Sequence, residues 1–192
     1  MTAKRSVTIQ YNAPVTLSFA LLSLLALALG RLTDGWTTQN LFCVYRAPLT
    51  DFLTYPRFFL HVLGSSDFAA LSANIVIMLV VGPTAEERFG SRRVLLAILV
   101  TALVTGLVLW FLFPGAALMG ASGVVFMLIV LASFAGARGG VIPLTLVLVL
   151  VLYLGSEIVQ AVTGQAGLQQ LTHIAGGVVG MVFGFATSRR GR

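Results

Sequence analysis

Hydrophobic residues are concentrated in six segments of this chain, separated by short stretches with glycine, proline or charged residues. The separators include Gly82-Pro83, Pro114-Gly115 and Gly139-Gly140, which are typical of breaks between helices. A free-standing membrane span needs about 20 apolar residues, and shorter ones suit helices that begin beside a water-filled cavity. The pattern predicts an all-α, polytopic membrane protein with a bundle of six transmembrane helices. The predicted spans are roughly Val15–Leu29, Phe68–Val81, Val94–Phe113, Gly123–Ala137, Val141–Val162 and Leu171–Ala186.

The composition agrees with a membrane-embedded chain. Hydrophobic residues make up 58% of the 192 positions and charged residues only 9%. In a soluble domain about 25% of residues are charged. We expect one domain over residues 1–192, with a short N-terminal tail over 1–14, a first loop over about 31–60 and a basic C-terminal tail over 187–192.

The positive charges predict the orientation of the bundle. If six spans alternate, nine Lys and Arg residues face one side of the membrane and three face the other. Cytoplasmic loops carry the excess of Lys and Arg, so we expect both termini in the cytoplasm. The same residues form no basic block with interleaved aromatics, which argues against nucleic acid as a partner. The larger group is Lys4, Arg5, Arg88, Arg92, Arg93, Arg138, Arg189, Arg190 and Arg192, and the smaller is Arg31, Arg46 and Arg57.

The part of the chain before the second span carries two further signals. Ala26-Leu27-Ala28 follows a basic start and an apolar run, so a cleaved signal peptide is an alternative to a first span. Cleavage would leave five spans with unchanged sidedness. The first loop is aromatic, and we expect it to lie in the plane of the membrane interface. Its aromatic residues include Phe42, Tyr45, Phe52, Tyr55, Phe58 and Phe59.

Four polar residues fall in the outer half of the predicted bundle. Ser122 opens the fourth span, His173 lies near the start of the sixth, His61 precedes the second, and Asn74 lies about two turns into the second. Ionisable residues inside membrane segments are costly and usually functional. With one cysteine, Cys43, and two histidines, a structural zinc site is improbable, and we expect no metal or other cofactor.

Ser122 and His173 are suited to nucleophilic catalysis. A serine hydroxyl is a weak nucleophile until a base removes its proton, and histidine is the usual base near neutral pH. The oxyanion of a tetrahedral intermediate needs hydrogen-bond donors, which the helix N-terminus at Ser122 and the amide of Asn74 can supply. Gly120 and Gly123 would let a substrate backbone approach closely. These residues predict a membrane-embedded hydrolase.

Each of these residues also has a purely structural interpretation. The small residues around Ser122 can be a close helix contact, as is common in membrane bundles. His173 can be a buried histidine with hydrogen bonds, and Asn74 can bridge two helices. A third residue could orient His173, but the spacing does not select one, and we predict a dyad. The candidates are Asp34, Asp51 and Asp67. The repeat Gly176-x-x-x-Gly180-x-x-x-Gly184 predicts a packing seam on the helix that carries His173.

Several segments in order resemble the rhomboid intramembrane serine proteases. The resemblance extends from about Tyr55 to Gly184. Gly120-Ala121-Ser122-Gly123 is similar to the nucleophile segment on the family's fourth helix, and His173-Ile174-Ala175-Gly176, followed by Gly180, is similar to its sixth. Asn74 stands where rhomboids have an asparagine on the second helix, and Arg57 stands before that helix as an arginine commonly does. Glu86-Glu87-Arg88-Phe89-Gly90-Ser91 resembles their Glu-x-Arg-x-Gly turn after the second helix.

The resemblance implies a catalytic arrangement. Ser122 would be the nucleophile and His173 the general base, in a water-filled cavity below the outer surface. Phe126 would pack on the imidazole, and the N–H of Ser122 with the side chain of Asn74 would help form the oxyanion hole. His61 would support the site.

The resemblance also implies partners and location. Substrates would be membrane proteins whose transmembrane helix unwinds easily near the outer face, with a small residue before the scissile bond. The fifth helix and its loop would form a lateral gate, and Gly176 would hold the helix of His173 in place. The enzyme would sit in the lipid bilayer of a bacterial cell, with the site open to the outer side.

The chain departs from the family pattern at three positions. Rhomboids usually carry a histidine four residues before the asparagine, where this chain has Ala70, and another where it has Ser65. Thr172 replaces the usual small residue before the histidine. A catalytically weak or silent rhomboid-like protein that binds transmembrane helices is therefore an alternative. A small transporter or channel is a second alternative, although the chain shows no convincing internal repeat.

Overall fold

A computed structural model describes residues 12–134, 144–149, 151, 155, 159 and 167–188. The regular elements of the described part are helices and two short strands, joined by turns and irregular segments. Four of the described helices are long and apolar enough to cross a membrane, and a fifth, shorter helix is also apolar. The long helices are α1 (Pro14–Leu32), α4 (Phe68–Phe89), α5 (Ser91–Leu112) and α8 (Leu168–Ser188), and the shorter apolar helix is α6 (Ser122–Ser133).

Five of the six predicted spans therefore correspond to described helices. Most of the fifth predicted span, Val141–Val162, lies outside the described residues, which include only α7 (Leu144–Val149) and a few later positions of it. The expected tails over 1–14 and 187–192 also lie largely outside them. The all-α, polytopic bundle is confirmed.

The second span extends further than predicted, because Gly82-Pro83 does not end it. Helix α4 continues through Pro83 to Phe89 and stops at Gly90, whose φ of 84° is left-handed. The helix continues because its last turns are held by α1. The carboxylate of Glu86 accepts hydrogen bonds from the Thr16 amide (2.6 Å) and hydroxyl (2.7 Å). The segment expected to be a turn after the second helix is thus mostly its final turn.

The first loop is folded rather than extended. It contains α2 (Trp36–Asn40), strand β1 (Val44–Tyr45), α3 (Thr54–Leu60) and a 3-10 turn, His61–Leu63. Strand β1 pairs antiparallel with β2 (Ala117–Leu118), which lies just before α6, with Val44 opposite Leu118. The hydrophobic pattern did not predict this ribbon. It joins the first loop to the segment that leads into Ser122.

The core of the bundle is centred on α6. Its residues from Gly123 to Leu128 are all buried, and α6 packs more extensively against α8 than any other pair of described helices. The glycine seam of α8 makes this contact. A Cβ atom at Gly176 would collide with the Gly123 carbonyl oxygen, and one at Gly180 would lie 2.7 Å from the Met127 carbonyl oxygen. The α6 and α8 backbones are close because these residues have no side chains.

Candidate active site

Ser122 is the first residue of α6. The residue before it, Ala121, provides no side-chain cap, so the first N–H groups of α6 are not satisfied by a capping oxygen. These groups and the helix dipole make such an N-terminus favourable for negative charge. The Ser122 side chain is half-buried, and Gly123 to Leu128 beyond it are buried. A hydroxyl is thereby placed at a partly accessible, electropositive helix end.

His173 lies in the second turn of α8, directly across from this helix end. A Cβ on Gly123, the neighbour of Ser122, would lie 3.1 Å from the carbonyl oxygen of Thr172, the neighbour of His173. The Phe126 ring, one turn after Ser122, stacks on the His173 imidazole with 5.8 Å between ring centroids and 27° between planes. The structure thus brings Ser122, Phe126 and His173 together at one end of the α6–α8 contact.

The hydroxyl of Ser122 and the imidazole of His173 are neighbours rather than a hydrogen-bonded pair. Within the described part of the chain, no hydrogen bond joins the two side chains. Catalytic hydrogen bonds are often long or poorly aligned before substrate binds. Rotation about the Ser122 Cα–Cβ bond changes the direction of the hydroxyl without moving either helix.

The segment before Ser122 is held by the first loop. In addition to the β1–β2 ribbon, the Gly120 N–H donates to the His61 carbonyl oxygen at 2.9 Å. Gly120 has φ of 128°, a conformation that favours glycine, and a Cβ there would meet nothing within 4 Å. The requirement for glycine at this position is therefore a backbone requirement and not a matter of space.

Gly120→Ala is expected to destabilise the folded protein by about 1–3 kcal/mol, the usual cost of a strained backbone conformation. Rearrangement of the segment would also displace Ser122. Gly115→Ala is the matched control, because Gly115 also has open space around it and no left-handed φ. Denaturation in detergent measures the difference. Equal stability of the two variants would contradict the backbone explanation.

His61 is a buried neutral side chain of the connection to α4. Its Nδ1 lies 3.1 Å from the Arg57 carbonyl oxygen, and its Nε2 lies 3.2 Å from Thr105 Oγ1 on α5. Because a carbonyl can only accept, Nδ1 carries the proton of the neutral ring. Nε2 then faces the Thr105 hydroxyl, which also lies 2.8 Å from the Thr101 carbonyl oxygen and has one proton for the two acceptors. The Thr105 methyl is also 3.4 Å from the Cβ position of Gly123. His61 thus contacts the surroundings of Ser122 through its carbonyl and through Thr105.

Burial lowers the pKa of His61 from 6.5 to about 4. Below pH 6.5 the unfolded chain therefore binds a proton at His61 that the folded protein does not bind. The stability that depends on neutral His61 is fully present above pH 6.5 and is lost as the pH falls towards 4. We expect a loss on the order of 2–3 kcal/mol between pH 7 and 4.5. Unfolding in detergent at both pH values measures it. His61→Gln should remove most of this dependence, and an unchanged dependence in that variant would assign it to other groups.

Asn74 is half-buried on α4, which packs against α6. Its amide makes no hydrogen bond within the described residues, so the structure shows no bridge from Asn74 to another helix. Ala70 lies one turn earlier, exposed, and its N–H donates to the helix-capping carboxylate of Asp67 at 2.8 Å. Ser65 is buried and donates to the Asp67 carbonyl oxygen.

Asp51 and Asp67, two of the three aspartates considered as partners of His173, have structural partners elsewhere. Asp51 forms a 2.9 Å ion pair with Arg57, which is only 2% exposed, lies over the Tyr45 ring and donates to the Asn40 carbonyl oxygen at 2.8 Å. Asp67 caps α4. Backbone hydrogen bonds lower the pKa of both carboxyl groups. Neither of these contacts involves His173.

Two structural connections of the site were missed by the sequence analysis. One is the β1–β2 ribbon, whose strands are too short to produce an alternating pattern. The other is Thr105, whose signal was the pair of threonines four residues apart, Thr101 and Thr105, inside an otherwise apolar span. Both are buried on α5. This spacing places them on one face of the helix, and a polar stripe on a buried face indicates a partner.

The long apolar helices define an integral, multi-pass membrane protein. Comparison with protein families gives a match to the rhomboid domain over residues 53–190. The match covers more than half of the chain and includes α4, α5, α6 and α8, so the chain belongs to the rhomboid family. A search among curated proteins gives no match.

Proposed function

We propose that the protein is a serine endopeptidase that hydrolyses peptide bonds in or near transmembrane helices of other membrane proteins. The observation that supports this proposal most strongly is the meeting of α6 and α8. Their glycine-mediated contact brings the neighbours of Ser122 and His173 together, and Phe126 stacks on the imidazole. A hydroxyl at a helix N-terminus beside a histidine is an arrangement that acyl transfer requires.

In the proposed mechanism Ser122 Oγ attacks the carbonyl carbon of the scissile bond while the imidazole of His173 removes its proton. The histidine then gives this proton to the leaving amine, and the C–N bond breaks to leave an acyl-enzyme. Water attacks the ester with His173 again acting as base, which releases the acid product and restores Ser122. The Phe126 ring limits how far the imidazole can tilt, so Phe126 is a positioning residue.

The oxyanion is proposed to lie at the N-terminus of α6. The N–H of Ser122 is a donor there, and the amide of Asn74 is available because it is not engaged with a described residue. Gly120 leaves open space for the substrate backbone, since a Cβ there would meet nothing within 4 Å, whereas the corresponding position of Gly123 is filled by Thr172 and Thr105. His61 is proposed to support the site indirectly, because its ring is directed to Thr105 and its carbonyl to Gly120.

The orientation proposed from the positive charges places both termini in the cytoplasm and the site towards the outer side. The basic residues near the end of α4 and the start of α5 then lie on the cytoplasmic side, and the folded first loop on the outer side. Substrates would reach the site laterally from the membrane. A small residue before the scissile bond suits a site built from glycine and alanine.

A silent relative that binds transmembrane helices without cleaving them is the alternative, and Ala70 is the observation that favours it. A fluorophosphonate probe separates the two, because it forms a covalent bond only with an activated serine. We expect labelling of the wild-type protein that disappears in Ser122→Ala. Absence of labelling in folded wild-type protein would favour the silent binder.

Ala70→His is expected to raise the cleavage rate, if a missing oxyanion donor limits it. One such donor is worth about 10²–10³ in rate. Ala70 is exposed and precedes Asn74 by one helical turn, so a longer side chain can be accommodated without displacing core residues. The rate should rise with little change in KM. Ala70→Leu is a bulky control without a hydrogen-bond donor, and no gain in the histidine variant would show that this donor is not limiting.

A further inference from the structure

An apolar groove lies between α3 and α5, and Ser122 is not among the residues that line it. Its floor is formed by Leu103, Leu107 and Trp110 of α5, and its wall by Phe58 and Phe59 of α3. The cavity volume is about 350 Å³, and the lining side chains are leucine and aromatic residues, with the Tyr55 hydroxyl and the Trp110 N–H already bonded to backbone carbonyls. The floor residues follow a spacing of four and then three, which places them in one row along the helix. A molecule bound in this groove would be held by apolar contacts and not by hydrogen bonds or ion pairs, which suits a hydrocarbon chain.

The groove has the direction and length of an acyl chain. From Leu103 to Phe111 it follows α5 for about 12 Å, at a helical rise of 1.5 Å per residue. This is most of the depth of one leaflet, because the hydrocarbon region of a bilayer is about 30 Å thick. A transmembrane helix is about 10 Å wide with its side chains, so a cavity of this volume does not admit one. The shape therefore favours a single flexible chain.

A cation lies at one end of the groove. The Arg46 guanidinium is 5.2 Å from the centroid of the Trp110 ring, and the Trp110 indole N–H donates to the Ala47 carbonyl oxygen at 3.2 Å. Trp110 is near the C-terminal end of α5, the end that the predicted orientation places towards the outer side. In the described part of the chain, the one ion pair between side chains is that of Arg57 with Asp51. Arg46 is exposed and has no carboxylate there.

We propose that this groove binds one phospholipid of the leaflet around the C-terminal end of α5. One acyl chain lies along Leu103 and Leu107, and the phosphate meets Arg46 at the level of Trp110. Arg46 provides the specificity for a phospholipid. Replacing one lipid tail by another in an apolar groove changes the binding free energy little, because lipid tails are equally apolar. Tryptophan at the headgroup level is typical of membrane interfaces.

Binding of this lipid connects the first loop to the bundle. Phe58 belongs to α3, and Arg46 and Ala47 directly follow β1, which pairs with the strand before Ser122. A lipid in the groove contacts α3 and α5 at the same time. Its binding should therefore raise the thermal stability of the protein, since a ligand that binds only the folded state stabilises it.

The test uses the full-length protein, stripped of lipid in detergent and examined by native mass spectrometry. Phosphatidylglycerol is compared with a diacylglycerol of the same acyl chains, which lacks the phosphate. We expect one retained phosphatidylglycerol per chain and weaker retention of diacylglycerol. Arg46→Gln should weaken phosphatidylglycerol binding about fivefold, the contribution of one cation at an anionic lipid surface. Arg31→Gln, an exposed arginine without such an aromatic neighbour, is the control.

A second pair of variants tests the groove itself. Leu107→Trp fills the groove, whereas Leu99→Trp adds the same bulk on an exposed part of α5 outside it. Retention of phosphatidylglycerol should be lost in the first variant and kept in the second. Equal retention in both, or equal binding of diacylglycerol and phosphatidylglycerol, would overturn the proposal. If Leu107→Trp does not fold, the proposal is decided by phosphatidylglycerol binding to Arg46→Gln compared with Arg31→Gln. Equal binding by these two variants would overturn it.

Discussion

Ser122→Ala is expected to reduce cleavage of a transmembrane substrate by about 10⁴-fold or more, because the acyl-enzyme cannot form without the hydroxyl. His173→Ala should have a similar effect, and the double variant should be no worse than either single one. Residues that act as one catalytic unit are strongly non-additive in this way. Purified variants in liposomes with a generic transmembrane substrate provide the measurement.

The controls distinguish chemistry from folding. Ser133→Ala removes a hydroxyl from the other end of α6, where it donates to the Ile129 carbonyl oxygen at 2.8 Å, and it should retain wild-type activity. All variants should keep wild-type thermal stability. Multiplicative losses in the double variant would show that Ser122 and His173 act independently, and full activity of Ser122→Ala would eliminate the proposed nucleophile.

The architecture could be predicted from the sequence because membrane spans are recognised by composition alone. The starts of α1, α5 and α6 fall within a few residues of the predicted ones. The end of α4 could not be predicted, because a local pattern assigns Gly82-Pro83 to a break. In the structure Gly82 faces Thr16, and Glu86 is held by the same residue from α1. A contact between residues 70 positions apart in the chain overrides the local preference.

The site could be predicted in part for a similar reason. A serine and a histidine are unusual at the starts of apolar spans, so Ser122 and His173 can be recognised from the sequence as candidates for catalysis. The supports of the site are not visible in this way, because they depend on long-range backbone contacts. Gly120 bonds to His61, and β1 pairs with β2 across more than 70 residues. The first loop, predicted as an interfacial segment, also holds the strand that leads into Ser122.

Gly176→Ala is expected to lower the cleavage rate by about 10²-fold while leaving the protein folded. The added Cβ would collide with the Gly123 carbonyl oxygen, so α6 and α8 must move apart. A carbonyl of the helix backbone cannot rotate away as a side chain can. A displacement of about 1 Å between reacting groups is enough for a loss of this size. Overpacking should also reduce stability by about 1–3 kcal/mol.

Two controls test whether the loss of activity in Gly176→Ala comes from added volume on α8 or from replacing any glycine by alanine. Val182→Leu adds a methylene on the exposed face of α8, where Val182 is 58% exposed, and should leave the rate unchanged. Gly115→Ala makes the same substitution in open space. The decisive measurement is the rate at saturating substrate, since a displaced dyad lowers kcat more than it changes KM. If Gly176→Ala retained the wild-type kcat, close contact of α6 and α8 would not be what aligns Ser122 with His173.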